Sequence, residues 1–257
     1  RACSFSLRRS ERSYYWGTQS YSQTLHNYQN VQYYGDFEIG GQEIPGLPDT
    51  GSWSVIVRST RCDACMHPTP PYNSSKSETY RLYGIIMDIT FGAGSCEALG
   101  GYESISVGTL STPRQEFYEI LEHQMKILDF AKYAAIVGLG YKPTRSQVTL
   151  DDAFGVGEFS ICFQRASGSD GHLTWGPVSA AGNSTGFARA RVIGQHHWSA
   201  RLQNVSLSWP SLAGHAPSPA LCGGPDGCAA IFDSGTSLIA APPEEVMKLS
   251  DHIDVRG

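Results

Sequence analysis

Short runs of β-branched and aromatic residues, each bounded by Gly, Pro or Ser, recur along most of the chain. They are NVQYYGDFEIG (30–40), YGIIMDITFGAG (83–94), YESISVG (102–108), EFSICF (158–163), HLTWG (172–176) and ARLQNVSLS (200–208). Segments of this length and composition read as strands, and their number reads as an all-β protein. The longest apolar run, around AAIVGLGY (134–141), has the length of a core strand and falls short of the roughly 18 residues of a membrane span. Helical signals are brief. EILEHQMKILDFAK (119–132) carries apolar residues at helical spacing, TLDDAFG (149–155) opens on a Thr cap, and PPEEVMKLSDHI (242–253) begins with proline and acids. A seam is expected near 157–170, where RASGSDG follows a strand. It divides an N-terminal unit, 25–160, from a C-terminal one, 161–257. Residues 1–24 hold Arg1, Arg8, Arg9 and Arg12 without a clear apolar period, and read as a leader or propeptide remnant.

Composition changes this picture only in excluding partners. The 257 residues are 40% hydrophobic and 17% charged, enough to bury a sizeable core. A formal charge of -5 and no Lys/Arg-dense patch argue against nucleic acid. The first residue is Arg1, which reads as a processed chain or a fragment. Seven cysteines and sequons at Asn73, Asn183 and Asn204 fit a protein of the secretory pathway. Cys62 with Cys65 and Cys222 with Cys228 form two close pairs. Two short disulfide loops are one reading; a four-thiolate zinc site, with His67 as substitute ligand, is the other. The second pair is spaced too widely for a usual zinc knuckle, which favours disulfides.

The candidate chemistry lies in a repeated tetrad. Asp49-Thr50-Gly51-Ser52 in the first half is matched by Asp233-Ser234-Gly235-Thr236 in the second. One Asp-Ser/Thr-Gly is an ordinary turn signal. Two copies, one in each half, fit an enzyme built from two similar lobes that each contribute a carboxylate. Two carboxylates within contact distance cannot both ionise easily, so one keeps a proton and can donate it to a carbonyl. The other acts as general base on a shared water. Glycine lets each Asp sit on a tight turn close to its counterpart.

With both tetrads placed, the chain resembles the pepsin-like aspartic proteases over most of its length. LHNYQNVQYYGDFEIGGQ resembles that family's first mature strand, and YNSSKSETY its Asn-Pro-Ser-Ser-Thr segment. DITFGAGSCEALGGYESISVG is similar to the flap hairpin and the strand after it. AAIVGLGY is similar to the element that crosses behind the first Asp loop, and CGGPDGCAAIFDSGTSL to the disulfide loop leading into the second. The resemblance implies an all-β, bilobal fold, with the N-terminal lobe complete and the C-terminal lobe truncated. It implies Asp49 and Asp233 as the catalytic pair, Thr50 and Ser234 bracing the two loops, and Ser52 and Thr236 bonding the outer carboxylate oxygens. Gly51 and Gly235 would lie beneath the water, and Phe91, Gly92 and Ala93 would form the flap tip. It also implies a peptide or protein substrate, a monomer, and neither cofactor nor metal.

Three departures stand out. The strand before Asp49 reads EIPGLP, where Pro45 and Pro48 supply no ladder donor and Gly46 weakens a strand. The flap tyrosine and its tryptophan partner are replaced by Phe91 and Ile56, an apolar contact in place of a hydrogen bond. Trp53 fills a position where the family commonly has a small residue.

Two rival readings remain at this point. Gly182-Asn183-Ser184-Thr185-Gly186 fits the G-x-S-x-G of a serine hydrolase, with Asp251 and His252 following in the required order. It lacks the strand before and helix after that such an elbow needs. The other rival is a catalytically inactive or fragmentary homologue that binds peptides at most. The chain stops at Gly257, soon after Asp233, whereas a second crossing element would be expected at about residue 320. Residues 1–257 alone are therefore expected not to be a working enzyme. The histidines at 196 and 197, beside Trp198, read as surface or strand residues rather than ligands.

Overall fold

The structure is a computed structural model that describes residues 3–8, 20–66, 68–141, 148–164, 166–177, 190–206 and 220–254. His67, Asn183 and the 182–186 segment lie outside them. Among the described residues the fold is mostly strand, as the segment pattern predicts. In chain order the strands are β1 (Cys3–Arg8), β2 (Tyr21–Tyr28), β3 (Gln32–Ile39), β4 (Gln42–Asp49) and β5 (Val55–Arg58). They continue with β6 (Arg81–Phe91), β7 (Gly94–Val107), β8 (Leu110–His123) and β9 (Ala135–Gly138). The last are β10 (Glu158–Phe163), β11 (Gly171–Trp175), β12 (Ser199–Leu202) and β13 (Cys228–Ile231). Two helices accompany them, α1 (Leu150–Ala153) and α2 (Pro243–Asp254), where the Thr cap and the Pro-acid start were expected.

Eleven strands form one sheet in the order β1-β10-β11-β2-β3-β4-β9-β5-β8-β7-β6, and β12 pairs with β13 apart from it. Strand β1, inside the stretch read as a leader, runs antiparallel to β10 from Cys3 opposite Phe163 to Arg8 opposite Glu158. The hairpin expected around Phe91, Gly92 and Ala93 is present: β6 runs to Phe91, the chain turns at Gly92–Ala93, and Phe91 pairs with Gly94. Among the described residues of the 200–208 segment, β12 is strand, followed by an isolated bridge of Val205 to Leu221.

The expected helix over 119–132 is absent. Strand β8 fills its first third, parallel to β5 and antiparallel to β7, and a 3₁₀ turn follows at Lys126–Asp129. Phe117, Tyr118, Glu119 and Ile120 are buried in succession, because β8 is covered on both faces. Such a run loses the two-residue alternation that marks a strand and can mimic helical spacing. Buried Glu119 is compensated by the Ser59 hydroxyl, which donates to it at 2.6 Å, and by Arg61 at 3.1 Å.

Strand β4 forms despite its prolines. It pairs antiparallel with β3 (Gly46 opposite Gly35) and parallel with β9 (Pro48 opposite Val137). The prolines donate nothing, but their carbonyls accept: Ala134 N–H bonds Pro45 O at 2.7 Å. Gly46 is required by packing, since a Cβ there would stand 2.7 Å from a Phe37 ring carbon and 3.0 Å from Val137 Cγ2. The main core holds Phe37, Phe117, Val137, Trp175 and Trp198; a second cluster, with Ile56, Tyr118, Tyr133 and Ile136, lies beneath the β6–β7 hairpin.

Candidate active site

Asp49 is the last residue of β4, and the loop it opens is held from behind. Leu139, just after β9, donates its N–H to Asp49 O at 2.8 Å, while Gly138 and Gly140 donate to Ser54 O (3.0 Å) and Ser52 O (2.7 Å). This close approach excludes a side chain at the two glycines: a Cβ at Gly138 would clash with Ser54 N, and one at Gly140 would lie 2.6 Å from Ser52 O. Asp233 follows β13, which the Cys222–Cys228 disulfide introduces. The Cys62–Cys65 disulfide closes the other short loop. The zinc reading therefore fails, because all four thiols are spent on S–S bonds. Buried Arg58 holds the first of these loops through the carbonyls of Met66 (3.1 Å) and Tyr133 (2.7 Å).

The two tetrads meet face to face. Gly51 N–H donates to Asp49 Oδ1 at 2.9 Å, and Gly235 N–H to Asp233 Oδ1 at 2.8 Å. Thr50 N–H donates to Ser234 Oγ (3.0 Å), and Ser234 N–H to Thr50 Oγ1 (2.9 Å). Each hydroxyl then donates onward into the opposite strand, Thr50 to Phe232 O and Ser234 to Pro48 O, both at 2.7 Å. A Cβ at Gly51 would stand 2.7 Å from Asp233 Cγ, and one at Gly235 the same distance from Asp49 Cγ. Each carboxylate thus lies over the other loop's glycine.

The outer contacts are unequal. Thr236 Oγ1 donates to Asp233 Oδ2 at 2.6 Å. Ser52 Oγ is buried without a hydrogen bond of good geometry, yet stands near enough to Asp49 to favour its ionised form. Burial outweighs this: Asp49 is 7% exposed, and desolvation, with Asp233 beside it, pushes its carboxyl up to about 7. Tyr133, buried nearby, is pushed up to about 12 by desolvation, then by the Asp49 charge.

Among the flap residues, Gly92 and Ala93 are exposed at the turn of the β6–β7 hairpin, and Phe91 packs on the cluster that contains buried Ile56. Trp53 is tied down, its Nε1–H reaching Tyr141 O (2.9 Å) and His196 O (3.2 Å). Asn73 caps the 3₁₀ turn Ser74–Lys76, and Asn204 is exposed with φ of 52°. Asp251 and His252 lie within α2, and the rest of the serine-hydrolase pattern falls outside the described residues. Among the described residues, no helix is long and apolar enough to cross a membrane. Sequence reading missed Trp198, whose indole donates to Leu139 O at 2.7 Å. Its nearness to the crossing element is a matter of folding, with no local motif to announce it.

The chain is similar in sequence to several known proteins. Cathepsin E of Cavia porcellus is 29% identical over 245 residues, 91% of this chain and 60% of the relative. Pepsin A of Bos taurus is 27% identical over 243 residues, 90% of this chain and 62% of the relative. Aspartic proteinase oryzasin-1 of Oryza sativa subsp. japonica is 28% identical over 252 residues, 91% of this chain and 47% of the relative. The chain thus spans about half to three fifths of the length of the curated relatives it matches. Residues 32–257 match the profile of the eukaryotic aspartyl protease family, and a match over so much of the sequence makes this chain a member of that family.

Proposed function

We propose that this chain carries the aspartate pair of an endopeptidase, Asp49 and Asp233, which cleaves peptide bonds by activating a water between them at acid pH. The observation that carries the reading is the reciprocal placement of the two tetrads, each carboxylate over the opposite glycine. Burial keeps Asp49 protonated up to about pH 7, so it is the acid of the pair. Asp233 is the base. It takes a proton from the water as the oxygen attacks the scissile carbonyl carbon, while Asp49 gives its proton to the carbonyl oxygen. The resulting tetrahedral diol collapses when a proton reaches the amide nitrogen and the C–N bond breaks, with no covalent enzyme intermediate. The β6–β7 hairpin with Phe91, Gly92 and Ala93 would close over the substrate.

The same proposal assigns one aspartate to each lobe, 25–160 and 161–257, and treats β1 as part of a leader docked on the edge of the sheet. The two disulfides fit an oxidising compartment. We infer a secretory route, with glycans at Asn73, Asn183 or Asn204, and a monomer acting on peptide or protein substrates.

Cleavage of an acid-denatured protein by a C-terminally extended form with the second lobe complete, and its loss in Asp49→Asn and in Asp233→Asn of that form with the fold retained, is the expected result. Near-normal cleavage by either variant sinks the assignment. A second reading, peptide binding without turnover, is favoured by the first tetrad, where Ser52 Oγ is buried without a hydrogen bond of good geometry while Thr236 bonds Asp233. Saturable peptide binding by the extended form without any product identifies that case.

A further inference from the structure

We propose that Trp198 is a positioning residue for the aspartate pair, its indole closing a hydrogen-bonded circuit that sets the spacing of the two aspartate loops. This rests on the reading of Asp49 and Asp233 as one pair. The circuit has four links. Leu139 N–H donates to Asp49 O (2.8 Å), and Trp198 Nε1–H donates to Leu139 O (2.7 Å). Phe232 N–H donates to Trp198 O (2.9 Å), and Thr50 Oγ1–H donates to Phe232 O (2.7 Å). Thr50 follows Asp49 in the chain, so the path closes. Every link lies within normal hydrogen-bond length.

Two features make this a frame rather than a chance contact. Trp198 is 1% exposed, and Tyr141 and Phe159 meet its ring edge-on at 5.0 and 6.0 Å, which fixes the indole direction. Second, the direct bonds between the loops all run through Thr50 and Ser234, at the level of the carboxylates. The tryptophan joins the crossing element behind the first loop to the strand that delivers the second. Two separated connections resist a tilt of one loop against the other, which one cannot. A phenylalanine would keep the ring contacts and lose the donor, leaving Leu139 O buried without it.

The test uses the 1–257 chain and reads the Asp49 carboxyl by carbon-13 NMR titration, so it does not depend on catalysis. The titratable groups that bear on Asp49 are Asp233 and Tyr133. If the circuit spaces the loops, Trp198→Phe admits water and separates Asp233, and both changes lower the Asp49 midpoint by about one pH unit or more. Tyr141→Leu removes ring packing and spares every link, so its midpoint should move by less than about a third of that. Thermal melting establishes that each variant is folded. As a reading independent of mutation, Trp198 Nε1–H in the wild type should exchange with the slowest core amides. Midpoint shifts in the 1–257 variants, with no peptide cleavage by a C-terminally extended wild type, count against the proteolytic reading and support the circuit. An unmoved midpoint in folded Trp198→Phe, equal shifts in the two variants, or rapid exchange of the Trp198 indole proton overturns it.

Discussion

Asp49 and Asp233 each accept the N–H of the glycine two residues on, at 2.9 and 2.8 Å, and their loops exchange matched bonds through Thr50 and Ser234. Behind Asp49 stand β9 and fully buried Leu139; β5 flanks the loop, and Ile56 and Val57 are in the core. Beyond Asp233 the chain continues through exposed Leu238 and Ile239 to α2, whose Val246 and Met247 are also exposed. Ser237, also exposed, reaches back with its hydroxyl to Val31 O at 2.6 Å. Matched inner bonds in unequal surroundings separate two levels of cause. The tetrad sequence fixes the local hydrogen bonds. The layer behind it fixes burial, and with it the proton affinity of Asp49.

If local chemistry is shared, breaking it should hurt from either side. Gly51→Ala and Gly235→Ala each put a methyl group about 2.7 Å from the opposing carboxylate carbon. Peptide cleavage should fall at least ~100-fold in both, because displacements of this size misplace reacting groups. Comparable losses of kcat in the two variants sharpen the comparison. A tolerated alanine at either glycine breaks it.

The backing layer should show the reverse, a large inequality. Leu139→Ala removes a fully buried side chain behind the first loop and should cost ~2–5 kcal/mol of stability. Ile239→Ala, at an exposed site, should stay within about 0.5 kcal/mol. Urea midpoints of the two variants measure this directly, and similar costs would mean that the second loop is covered after all.

Protonation offers a finer test. In the folded chain burial raises the Asp49 carboxyl from 3.8 to about 7, so folding favours its protonated form. The associated stability is fully present below about pH 4 and is lost as pH rises through about 7. Wild type should therefore lose stability between pH 5 and pH 8. Asn cannot ionise, so Asp49→Asn should lose less over that interval and be the more stable of the two at pH 8. Parallel pH curves for the two proteins would show that Asp49 is not held in a dry site.

Much of this was legible in the chain, because the informative residues sit together in sequence. The tetrads, the Cys222–Cys228 loop and the crossing element at 136–138 each carry a local demand, for a tight turn, a bridge or a side-chain-free approach. Features set by distant neighbours were not legible. The run at 119–132 looks helical until its first residues are seen in β8, between β5 and β7. Strand β4 looks broken until Gly46 is found under Phe37, and Trp198 carries no signature because its partner Leu139 is remote in sequence.

The smallest expected effect concerns the β6–β7 hairpin, whose Phe91 packs on the apolar cluster that includes Leu47 and Ile56, on the strands flanking the first loop. Phe91 and Ile56 share an apolar cluster with Tyr118 and Ile136, and Ile56 is fully buried there. A hydroxyl added at Phe91 would face carbon rather than a donor or acceptor at Ile56, and desolvating it without a partner is unfavourable. Phe91→Tyr alone should leave kcat unchanged or slightly lower, by about twofold at most, since the hydroxyl can turn outward at this half-buried position. Steady-state kinetics on one peptide substrate, with kcat and KM separated, decide it. A several-fold rise in kcat would mean that the first loop offers the hydroxyl a polar partner. The contrast between the loops would then include a hydrogen-bonded latch on one side, and not burial alone.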